Sequence, residues 1–434
     1  MNGLNHVAVI GLGYIGLPTA AILATNGLKV TGVDVNQRTV DAVNAGRVPF
    51  VEPDLGVHVA GAVSQLRLSA STLTPQADCY IVAVPTPFND DHTADLSYIE
   101  SAARGIAPQL RGGELVILES TSPPGATQHL AEYLIELRPD LSLDGSNSRP
   151  TILVAHCPER VLPGRVMIEL VTNDRIVGGV TQEAAAMAKE LYGVFCQGAI
   201  LTTDAVTAEM AKLVENSYRD VNIAFANELS LISAKLGIDV WELIRLANHH
   251  PRVNILQPGP GVGGHCIAVD PWFVVAAAPE ESQLIRTARE VNDRKPEWVV
   301  QQVVAALDAF SPGAEIAILG LAFKANIDDL RESPAVEITK RLSETLPGQR
   351  LNVAEPHVDV LPKDLHGLQN VELVGLDEAI GRSDVIVVLV DHDVVKSIDP
   401  MWLANKAVVD TRGAFTQVAA SYGVLPALPS KVAP

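Results

Sequence analysis

The sequence is poor in positive charge, in cysteine and in long apolar runs, and each shortage excludes a class of protein. Lysine and arginine number 32 against 51 acidic residues, which gives a net charge of -19 at pH 7. Binding to nucleic acid or to a membrane surface through charge alone needs a basic face, so we expect neither partner. No run approaches the roughly 18 apolar residues of a membrane helix. The opening residues lead straight into the apolar stretch 7–10 without the basic segment and cleavage site of a secretory signal, and we expect a cytoplasmic protein.

The four cysteines, Cys79, Cys157, Cys196 and Cys266, are scattered along the chain and form no Cys-x-x-Cys pair. A reducing compartment keeps such residues as thiols, so neither a disulfide framework nor a zinc or other metal site is indicated. Unpaired cysteines usually pack in a core, and this is the interpretation for three of them. Cys266 has a different sequence context.

Length and composition indicate a globular α/β enzyme of several domains. The chain has 434 residues, of which 47% are hydrophobic and 19% charged. At about 150 residues per domain, two or three domains are expected. Disorder, repeats of solenoid length and low-complexity segments are not indicated.

Apolar strand patterns alternate with helical patterns in both halves of the chain, which predicts parallel, doubly wound sheets. The predicted strands are His6 to Ile10, Lys29 to Asp34, Cys79 to Val84, Glu114 to Glu119, Ile152 to Ala155, Glu315 to Leu319, Leu351 to Ala354, Asp384 to Val390 and Ala407 to Asp410.

The stretch from about Thr202 to Gly237 lacks proline and internal glycine, and its length predicts one long helix. We therefore expect two Rossmann-like doubly wound domains joined by a long central helix and a small helical domain. The expected limits are 1–201, 202–295 and 296–434, with a surface tail over 417–434.

A glycine motif follows the first predicted strand and opens a helix: Gly11-Leu12-Gly13-Tyr14-Ile15-Gly16. Such glycines allow a tight turn and let the backbone approach a pyrophosphate at the positive end of a helix. Asp34 ends the second strand, where a carboxylate accepts from a ribose 2′-hydroxyl and repels a 2′-phosphate. NAD is therefore the expected cofactor. Arg38 leaves NADP as an alternative, and a glycine turn beside a surface aspartate is the plain structural interpretation.

Lys212, Asn216 and Arg219 project from one side of the predicted long helix. On an exposed face this is more often a solvated stripe, but the next loop favours a site. Residues 257–266 are too rich in glycine and proline for a helix or strand, and they end at Cys266, with Asp270 shortly after. A thiol there suits a nucleophile activated by a nearby cation or base, for which Lys212 is the candidate.

Together these motifs resemble the UDP-glucose/GDP-mannose dehydrogenases, from the N-terminus to about Phe415. The motifs that carry the resemblance are Gly11 to Ala20, Val84-Pro85-Thr86-Pro87, Glu119-Ser120-Thr121-Ser122-Pro123-Pro124-Gly125-Ala126-Thr127, Cys157-Pro158-Glu159-Arg160-Val161-Leu162-Pro163-Gly164, Glu209 to Leu231, Gly263-Gly264-His265-Cys266, Leu319-Gly320-Leu321-Ala322-Phe323-Lys324 and Arg331-Glu332-Ser333-Pro334.

The resemblance implies a four-electron oxidation of a primary alcohol to a carboxylate through intermediates bound to a cysteine. Its implied catalytic residues are Cys266 as nucleophile, Lys212 as general base and then cation for the oxyanion, Asn216 as neighbouring donor, Asp270 and Thr121 as groups that orient water, and Glu159 as base for thioester hydrolysis. The division of work among Lys212, Glu159 and Asp270 stays open. Asp270 as the cap of a turn and Thr121 as a strand-end residue are the structural alternatives.

The resemblance also implies two binding sets and a site between the two α/β domains. For NAD it implies Tyr14, Ile15, Asp34, Thr86, Thr127 and Arg331 besides Gly11, Gly13 and Gly16. For a UDP-sugar it implies Arg160, Val161, Lys212, Asn216, Arg219, His250, Arg252, Gly263, Phe323, Lys324 and Arg412. The cations in the second set suit a local pocket for a diphosphate in an acidic protein. A homodimer paired through the long helix is expected.

The sugar is indicated by residues 242–248, 250–255 and 268–273, which resemble the branch of the family that oxidises UDP-N-acetylmannosamine. UDP-N-acetylglucosamine and UDP-glucose are the alternatives within the family. A non-catalytic NAD-binding regulatory or scaffolding protein is the alternative of another class, and it has no use for an activated thiol. A two-electron alcohol dehydrogenase would release an aldehyde and need no cysteine.

Overall fold

The computed structural model describes residues 4–50, 52–89, 91, 93–162, 164–264 and 266–415. The predicted surface tail, 417–434, lies outside them. The chain divides into two compact units: Met1–Glu215 with Ala276–Pro279, and Asn216–Val275 with Glu280–Pro434. In the part that the structure describes, no helix is both long and apolar enough to cross a membrane.

The first unit is built on an eight-stranded sheet. Its strands are β1 His6–Ile10, β2 Lys29–Val33, β3 Leu68–Ser71, β4 Cys79–Val82, β5 Leu115–Leu118, β6 Leu153–His156, β7 Arg175–Gly179 and β8 Ile200–Asp204. Its helices are α1 Gly16–Thr25, α2 Gln37–Asn44, α3 Leu55–Ser64, α4 Ser97–Ile106, α5 Ala126–Leu137, α6 Val166–Thr172 and α7 Gln182–Tyr192. The strand order is β3-β2-β1-β4-β5-β6-β7-β8, and all pairs are parallel except β6 with β7. This is the doubly wound order, extended at one edge.

The long predicted helix is α8, Ala205–Leu236, which begins in the first unit and continues into the second. It is followed by α9 Val240–Ala247, α10 Asp270–Ala277 and α11 Gln283–Leu307. The expected start at Thr202 is wrong, because residues 202–204 belong to β8 and pair with β7. The expected limit at 295/296 falls inside α11, which continues through Pro296. The three domain limits stay a prediction.

A five-stranded parallel sheet forms the core of the second unit. Its elements are β9 Ile316–Leu319, α12 Pro334–Thr345, β10 Leu351–Ala354, β11 Val371–Leu373, α13 Leu376–Arg382, β12 Val385–Val388, α14 Asp393–Lys396 and β13 Ala407–Asp410. The strand order is β11-β10-β9-β12-β13. β9, β10 and β12 are buried at every residue, as expected for parallel strands covered on both faces. The expected fold class, with two Rossmann-like sheets, is confirmed.

Four strands were not predicted from the sequence: β3, β7, β8 and β11. β7 contains two glycines, and β11 has three residues. β3 and β8 lie at the two edges of their sheet and carry serine or threonine. Such segments form strands because an adjacent strand provides backbone hydrogen-bond partners, and sequence pattern alone does not reveal that pairing.

Candidate active site

The glycine motif forms a tight turn between β1 and α1. Gly11 has φ +93° and donates its N–H to the carbonyl of Val33 at 2.7 Å. A Cβ on Gly11 would lie 2.5 Å from the carbonyl oxygen of Ala83, and one on Gly16 would lie 1.9 Å from that of Gly11. At Gly13, by contrast, a Cβ would meet nothing within 4 Å. The first and third glycines are required by packing, and the second leaves open space at the start of α1, which fits an approaching pyrophosphate.

Asp34 lies beside this turn, directly after β2. One carboxylate oxygen accepts from the N–H of Leu12 at 3.0 Å, and the other accepts from the N–H of Asn36 at 2.8 Å. These two hydrogen bonds fix the carboxylate, and the residue as a whole is half-buried. This geometry fits a ribose hydroxyl as a further donor.

Tyr14 and Ile15 lie in the same turn, and Thr86 lies in the segment that follows β4. Tyr14 is exposed and stacks on Phe50, with ring centroids 4.3 Å apart. Ile15 directly precedes α1. The hydroxyl of Thr86 is buried without a hydrogen-bond partner among the described residues. Because buried polar atoms are normally paired, this hydroxyl fits a contact with a bound cofactor.

Thr127 and Arg331 are placed differently from these residues. Thr127 is buried, and both its N–H and its hydroxyl donate to Oε1 of Glu209, at 2.7 and 2.6 Å. Arg331, in the second unit, forms an ion pair with Asp329 at 2.5 Å and keeps half of its side chain exposed. Their contacts with NAD stay a prediction.

Two acidic residues of the first unit were not selected as functional from the sequence. Glu209 on α8 accepts from the N–H groups at the start of α5, including that of Gly125 at 2.6 Å. Glu119, directly after β5, accepts hydroxyl hydrogens from Thr19 on α1 and Tyr192 on α7, each at 3.0 Å. Burial raises the pKa of Glu119 to about 7, and the charge of Glu159 adds to this. Their partners are distant in sequence, so no local pattern could have found them.

The four cysteines, all among the described residues, differ sharply in environment. Cys79 and Cys157 are fully buried, and burial raises the pKa of both thiols, that of Cys157 to about 12. Cys196 is half-buried, and its Sγ donates to the carbonyl of Asn173 at 3.5 Å. Cys266 is exposed. A nucleophilic role therefore suits Cys266 and not the buried pair.

Cys266 begins the turn of residues 266–269 that leads into α10. Its carbonyl accepts from the N–H groups of Val269 at 3.1 Å and Asp270 at 2.8 Å. The backbone of Cys266 consequently lies on the N-terminal side of α10, where the N–H groups of a helix favour negative charge. An exposed thiol at this position suits the predicted nucleophile.

Asn216 and Asp270, predicted as neighbours of the nucleophile, are brought together in the second unit. The Nδ2 of Asn216 on α8 donates to Oδ2 of Asp270 at 2.5 Å, and Asp270 is 2% exposed. Lys212, half-buried, lies one turn before Asn216 on the same helix, and Arg219 lies exposed one turn after it. Asn216, Asp270 and the backbone of Cys266 thus form one connected arrangement.

The glycine-rich loop before Cys266 is held by side chains of the second unit. The N–H of Gly259 donates to Oδ1 of Asn227 at 2.9 Å. A Cβ on Gly263 would lie 2.4 Å from the carbonyl oxygen of Glu332, and one on Gly264 would lie 3.2 Å from the ring of Phe323. The loop therefore packs so closely that these positions need glycine.

The same loop gathers several of the predicted UDP-sugar residues. Arg412 donates to Asp391 at 2.9 Å, and its Nη1 lies 2.7 Å from where a Cβ on Gly259 would stand. Lys324, next to Phe323, is exposed. His250 and Arg252 are also exposed, and the backbone N–H of Arg252 donates to Nδ1 of His250 at 3.3 Å. Gly263, Phe323 and Arg412 are thus grouped, while direct substrate contacts stay a prediction.

Glu159 and Arg160 are paired within the first unit. Glu159 is buried, accepts the N–H of Arg160 at 2.7 Å and forms an ion pair with Arg175 at 3.1 Å. The guanidinium of Arg160 pairs with Glu215 at 2.5 Å. Thr121 and Val161 are half-buried. A role of Glu159 as base requires that its carboxylate act while held by Arg175, and this role stays a prediction.

These features fit an NAD-dependent dehydrogenase, and comparison with known proteins gives the family of the chain. The UDP-glucose/GDP-mannose dehydrogenase family matches in three parts: its NAD binding domain over residues 5–196, its central domain over 206–294 and its UDP binding domain over 317–417. The chain therefore belongs to this family. The family resemblance and the NAD cofactor expected from the sequence are both confirmed.

Similar proteins span almost the same length. The NDP-N-acetyl-D-galactosaminuronic acid dehydrogenase of Ralstonia nicotianae is 57% identical over 94% of this chain and 95% of that protein. The UDP-N-acetyl-D-mannosamine dehydrogenase of Escherichia coli is 56% identical over 94% and 98%. Among solved structures, the UDP-D-ManNAc dehydrogenase of Pyrococcus horikoshii has a TM-score of 0.83 and 38% identity, covering 94% of this chain and 96% of that one.

Proposed function

We propose that the chain oxidises C6 of UDP-N-acetyl-D-mannosamine to the carboxylate, with Cys266 as covalent nucleophile. The observation that carries the proposal is the arrangement of an exposed Cys266 in the turn before α10, joined through its backbone to Asp270 and from there to Asn216. A protein that only binds NAD has no need for an accessible thiol in such a setting.

The electron count explains why a cysteine is needed. Conversion of a primary alcohol to an acid removes four electrons, and NAD supplies the chemistry of a two-electron hydride acceptor, so two molecules are consumed in turn. Between the two oxidations the aldehyde forms a thiohemiacetal with the sulfur of Cys266. The second oxidation gives a thioester, and attack by water breaks the C–S bond to release the acid and restore the thiol.

The remaining side chains have separate tasks in this scheme. Lys212 takes the proton of the alcohol and, once charged, stabilises the oxyanion, while Asn216 donates a hydrogen bond to the same oxygen. Asp270 and Thr121 orient the hydrolytic water, and Glu159 is the candidate base for that step. The fixed contact of Asp270 with Asn216 supports a positioning task for this carboxylate.

The identity of the sugar is supported by similarity, and two relatives disagree. The Escherichia coli relative is named for UDP-N-acetyl-D-mannosamine, whereas the slightly more similar Ralstonia relative is named for N-acetylgalactosaminuronic acid. The solved structures from Pyrococcus horikoshii and Staphylococcus aureus carry the mannosamine name, at 38% and 40% identity. We propose the manno sugar, and the galacto sugar is the second candidate.

We also propose that two copies of the chain pair through α8. The helix carries apolar side chains at seven-residue spacing, Tyr218, Phe225 and Ile232, which are 74%, 51% and 46% exposed. This spacing keeps them on one face of a helix, and Val214 and Leu236 extend the same face. A second copy of the chain has an identical apolar face on α8, so pairing of the two helices about a two-fold axis would bury both faces.

A substrate panel tests the proposal. The purified protein is incubated with NAD and, separately, the UDP derivatives of N-acetylmannosamine, N-acetylgalactosamine, N-acetylglucosamine and glucose. The highest kcat/KM is expected for the manno sugar, with two NADH per sugar acid. A higher kcat/KM for UDP-N-acetylgalactosamine would make that sugar the substrate in place of the manno sugar. One NADH per sugar, with aldehyde trapped by a carbonyl reagent, would contradict the role of Cys266.

A further inference from the structure

After its first strand, the second sheet repeats the backbone arrangement that holds the glycine turn of the first sheet. After β9, Gly320 has φ +91° and donates its N–H to the carbonyl of Ala354 at 2.9 Å, as Gly11 does to Val33 in the first unit. The acidic residue that follows β10 is Glu355, which corresponds to Asp34 after β2. The two sheets therefore place a carboxylate at the same topological position.

The hydrogen bonds of the two carboxylates correspond as well. Oε2 of Glu355 accepts from the N–H groups of Leu321 at 2.7 Å and Ala322 at 3.0 Å, and Oε1 accepts from the N–H of His357 at 3.0 Å. Asp34 likewise accepts from the residue after its glycine and from the residue two positions beyond itself. The repeated pattern shows that each carboxylate holds the turn after the first strand of its sheet.

The two acidic residues differ in exposure, and the buried one, Glu355, is paired with His392. The side chains of Glu355 and His392 are both 0% exposed, and Nε2 of His392 lies 3.1 Å from Oε2 of Glu355. Nδ1 of His392 accepts from the N–H of Asn326 at 3.0 Å. A nitrogen that accepts carries no proton, so in neutral His392 the proton is on Nε2 and points at Glu355. His392 thus packs against the buried carboxylate of Glu355, whereas Asp34, the counterpart of Glu355 in the first sheet, is half-buried.

Together, Glu355 and His392 fix both ends of one short loop. Glu355 holds Leu321 and Ala322 at its start, and His392 holds Asn326 at its end. Between these points lie Phe323 and Lys324. The ring of Phe323 in turn packs against Gly264, which lies two residues before Cys266. A Cβ on Gly264 would come within 3.2 Å of this ring.

We propose that Glu355 and His392 are positioning residues for the UDP-sugar site, because they fix the loop 321–326 that carries Phe323 and Lys324. In this sheet the acidic residue after the second strand is buried against the protein's own backbone and His392, whereas Asp34 is also the proposed contact of a ribose. The proposal rests on the assignment of Phe323 and Lys324 to the UDP-sugar site under the proposed function.

The test compares His392→Leu with His392→Gln in the full-length protein. Leucine removes both the donor to Glu355 and the acceptor for Asn326, so KM for the UDP-sugar and the Kd for UDP should rise about tenfold. KM for NAD should not change. Glutamine retains an N–H donor and an oxygen acceptor, and its KM should lie closer to the wild-type value. His366→Leu, at an exposed position of the same unit, is the matched control.

Hydrogen exchange supplies a readout that does not depend on turnover. Peptides that cover residues 321–326 should exchange faster in His392→Leu than in the wild type or in His366→Leu. If His392→Leu does not fold, Glu355→Gln replaces it, since the amide nitrogen must then face at least one of the N–H donors. If the wild type binds UDP and these variants bind it with the same affinity, the proposal is overturned. If the wild type binds no UDP, the proposed substrate fails, and unchanged exchange over 321–326 would then overturn the proposed loop contact as well.

Discussion

Asn216 and Asp270 are 54 positions apart in the chain, yet the amide nitrogen of Asn216 donates to the carboxylate of Asp270 at 2.5 Å. The contact links α8 to the first residue of α10, whose own N–H donates to the carbonyl of Cys266. Any change at Asp270 therefore acts on the setting of the nucleophile. It also tests whether this carboxylate orients water.

Replacing Asp270 by Asn should lower kcat by about 100-fold, because positioned acid and base groups typically contribute that much or more. If Asp270 orients the hydrolytic water, the thioester on Cys266 should accumulate, and mass spectrometry of the quenched enzyme should detect the acyl adduct. The exposed Asp359 provides the control substitution Asp359→Asn. A slow variant without any adduct would place Asp270 outside the hydrolysis step.

Replacing Cys266 by Ser should abolish sustained NADH formation while binding of NAD and UDP stays nearly intact. A hydroxyl is a much weaker nucleophile than a thiolate and is similar in size. Cys196→Ser is the control, because Cys196 is half-buried and donates to backbone carbonyls. Near wild-type turnover of Cys266→Ser would mean that the thiol has a structural role.

Replacing Asp34 by Asn should weaken the binding of NAD and reduce the discrimination against NADP. The KM for NAD should rise by about tenfold. The amide keeps one oxygen to accept from the N–H of Leu12 or of Asn36, so the turn should survive better than with alanine. Asp41→Asn, on the exposed side of α2, is the control. An unchanged ratio of kcat/KM for the two cofactors would show that Asp34 does not contact the ribose.

The sequence predicted those parts of the fold and site that depend on local signals. β1, β10 and β13 have the predicted bounds, because each is a short apolar run between polar residues. The glycine motif and the loop before Cys266 were identifiable because their composition suits neither a helix nor a strand.

What the sequence could not predict depends on distant partners. Thr202 to Asp204 resembled the start of a helix, and pairing with β7 makes them a strand. Glu209 meets Thr127 across 82 positions, and His392 meets Glu355 across 37. No periodicity or spacing encodes such contacts, because they exist only once the elements have packed.

Replacing Phe225 by Glu should separate the proposed dimer into monomers. A carboxylate at the centre of an apolar stripe would face its own copy across a two-fold axis, and it would be buried without a cation. The mass in solution, measured by light scattering after size exclusion, should fall by half. Leu284→Glu, at another exposed apolar position, should leave the mass unchanged. A wild-type mass of one chain would contradict the pairing itself.

Lys295 gives a pH-dependent test of the core of the second unit. Its Nζ donates to Oγ of Ser230 at 2.5 Å and lies 3.8 Å from the ring centroid of Trp298, and the residue is 2% exposed. Burial lowers the pKa of Lys295 to about 7. The unfolded chain, with an ordinary lysine pKa, therefore binds more protons than the folded chain between about pH 7 and 10, and linkage requires that stability rise with pH in this window.

In Lys295→Met this contribution disappears, because methionine fills similar space without a titrating group. The difference in the free energy of unfolding, wild type minus variant, should increase by up to roughly 3 kcal/mol between pH 7 and 9. Each pH unit over which the folded and unfolded chains differ by one proton contributes about 1.4 kcal/mol. Below pH 7 both states hold the proton, and the difference should be constant. Urea unfolding followed by tryptophan fluorescence measures it at each pH. Lys340→Met, at an exposed lysine of α12, should show the same pH dependence as the wild type. If the curves of unfolding free energy against pH are parallel for Lys295→Met and the wild type, burial does not shift the pKa of Lys295.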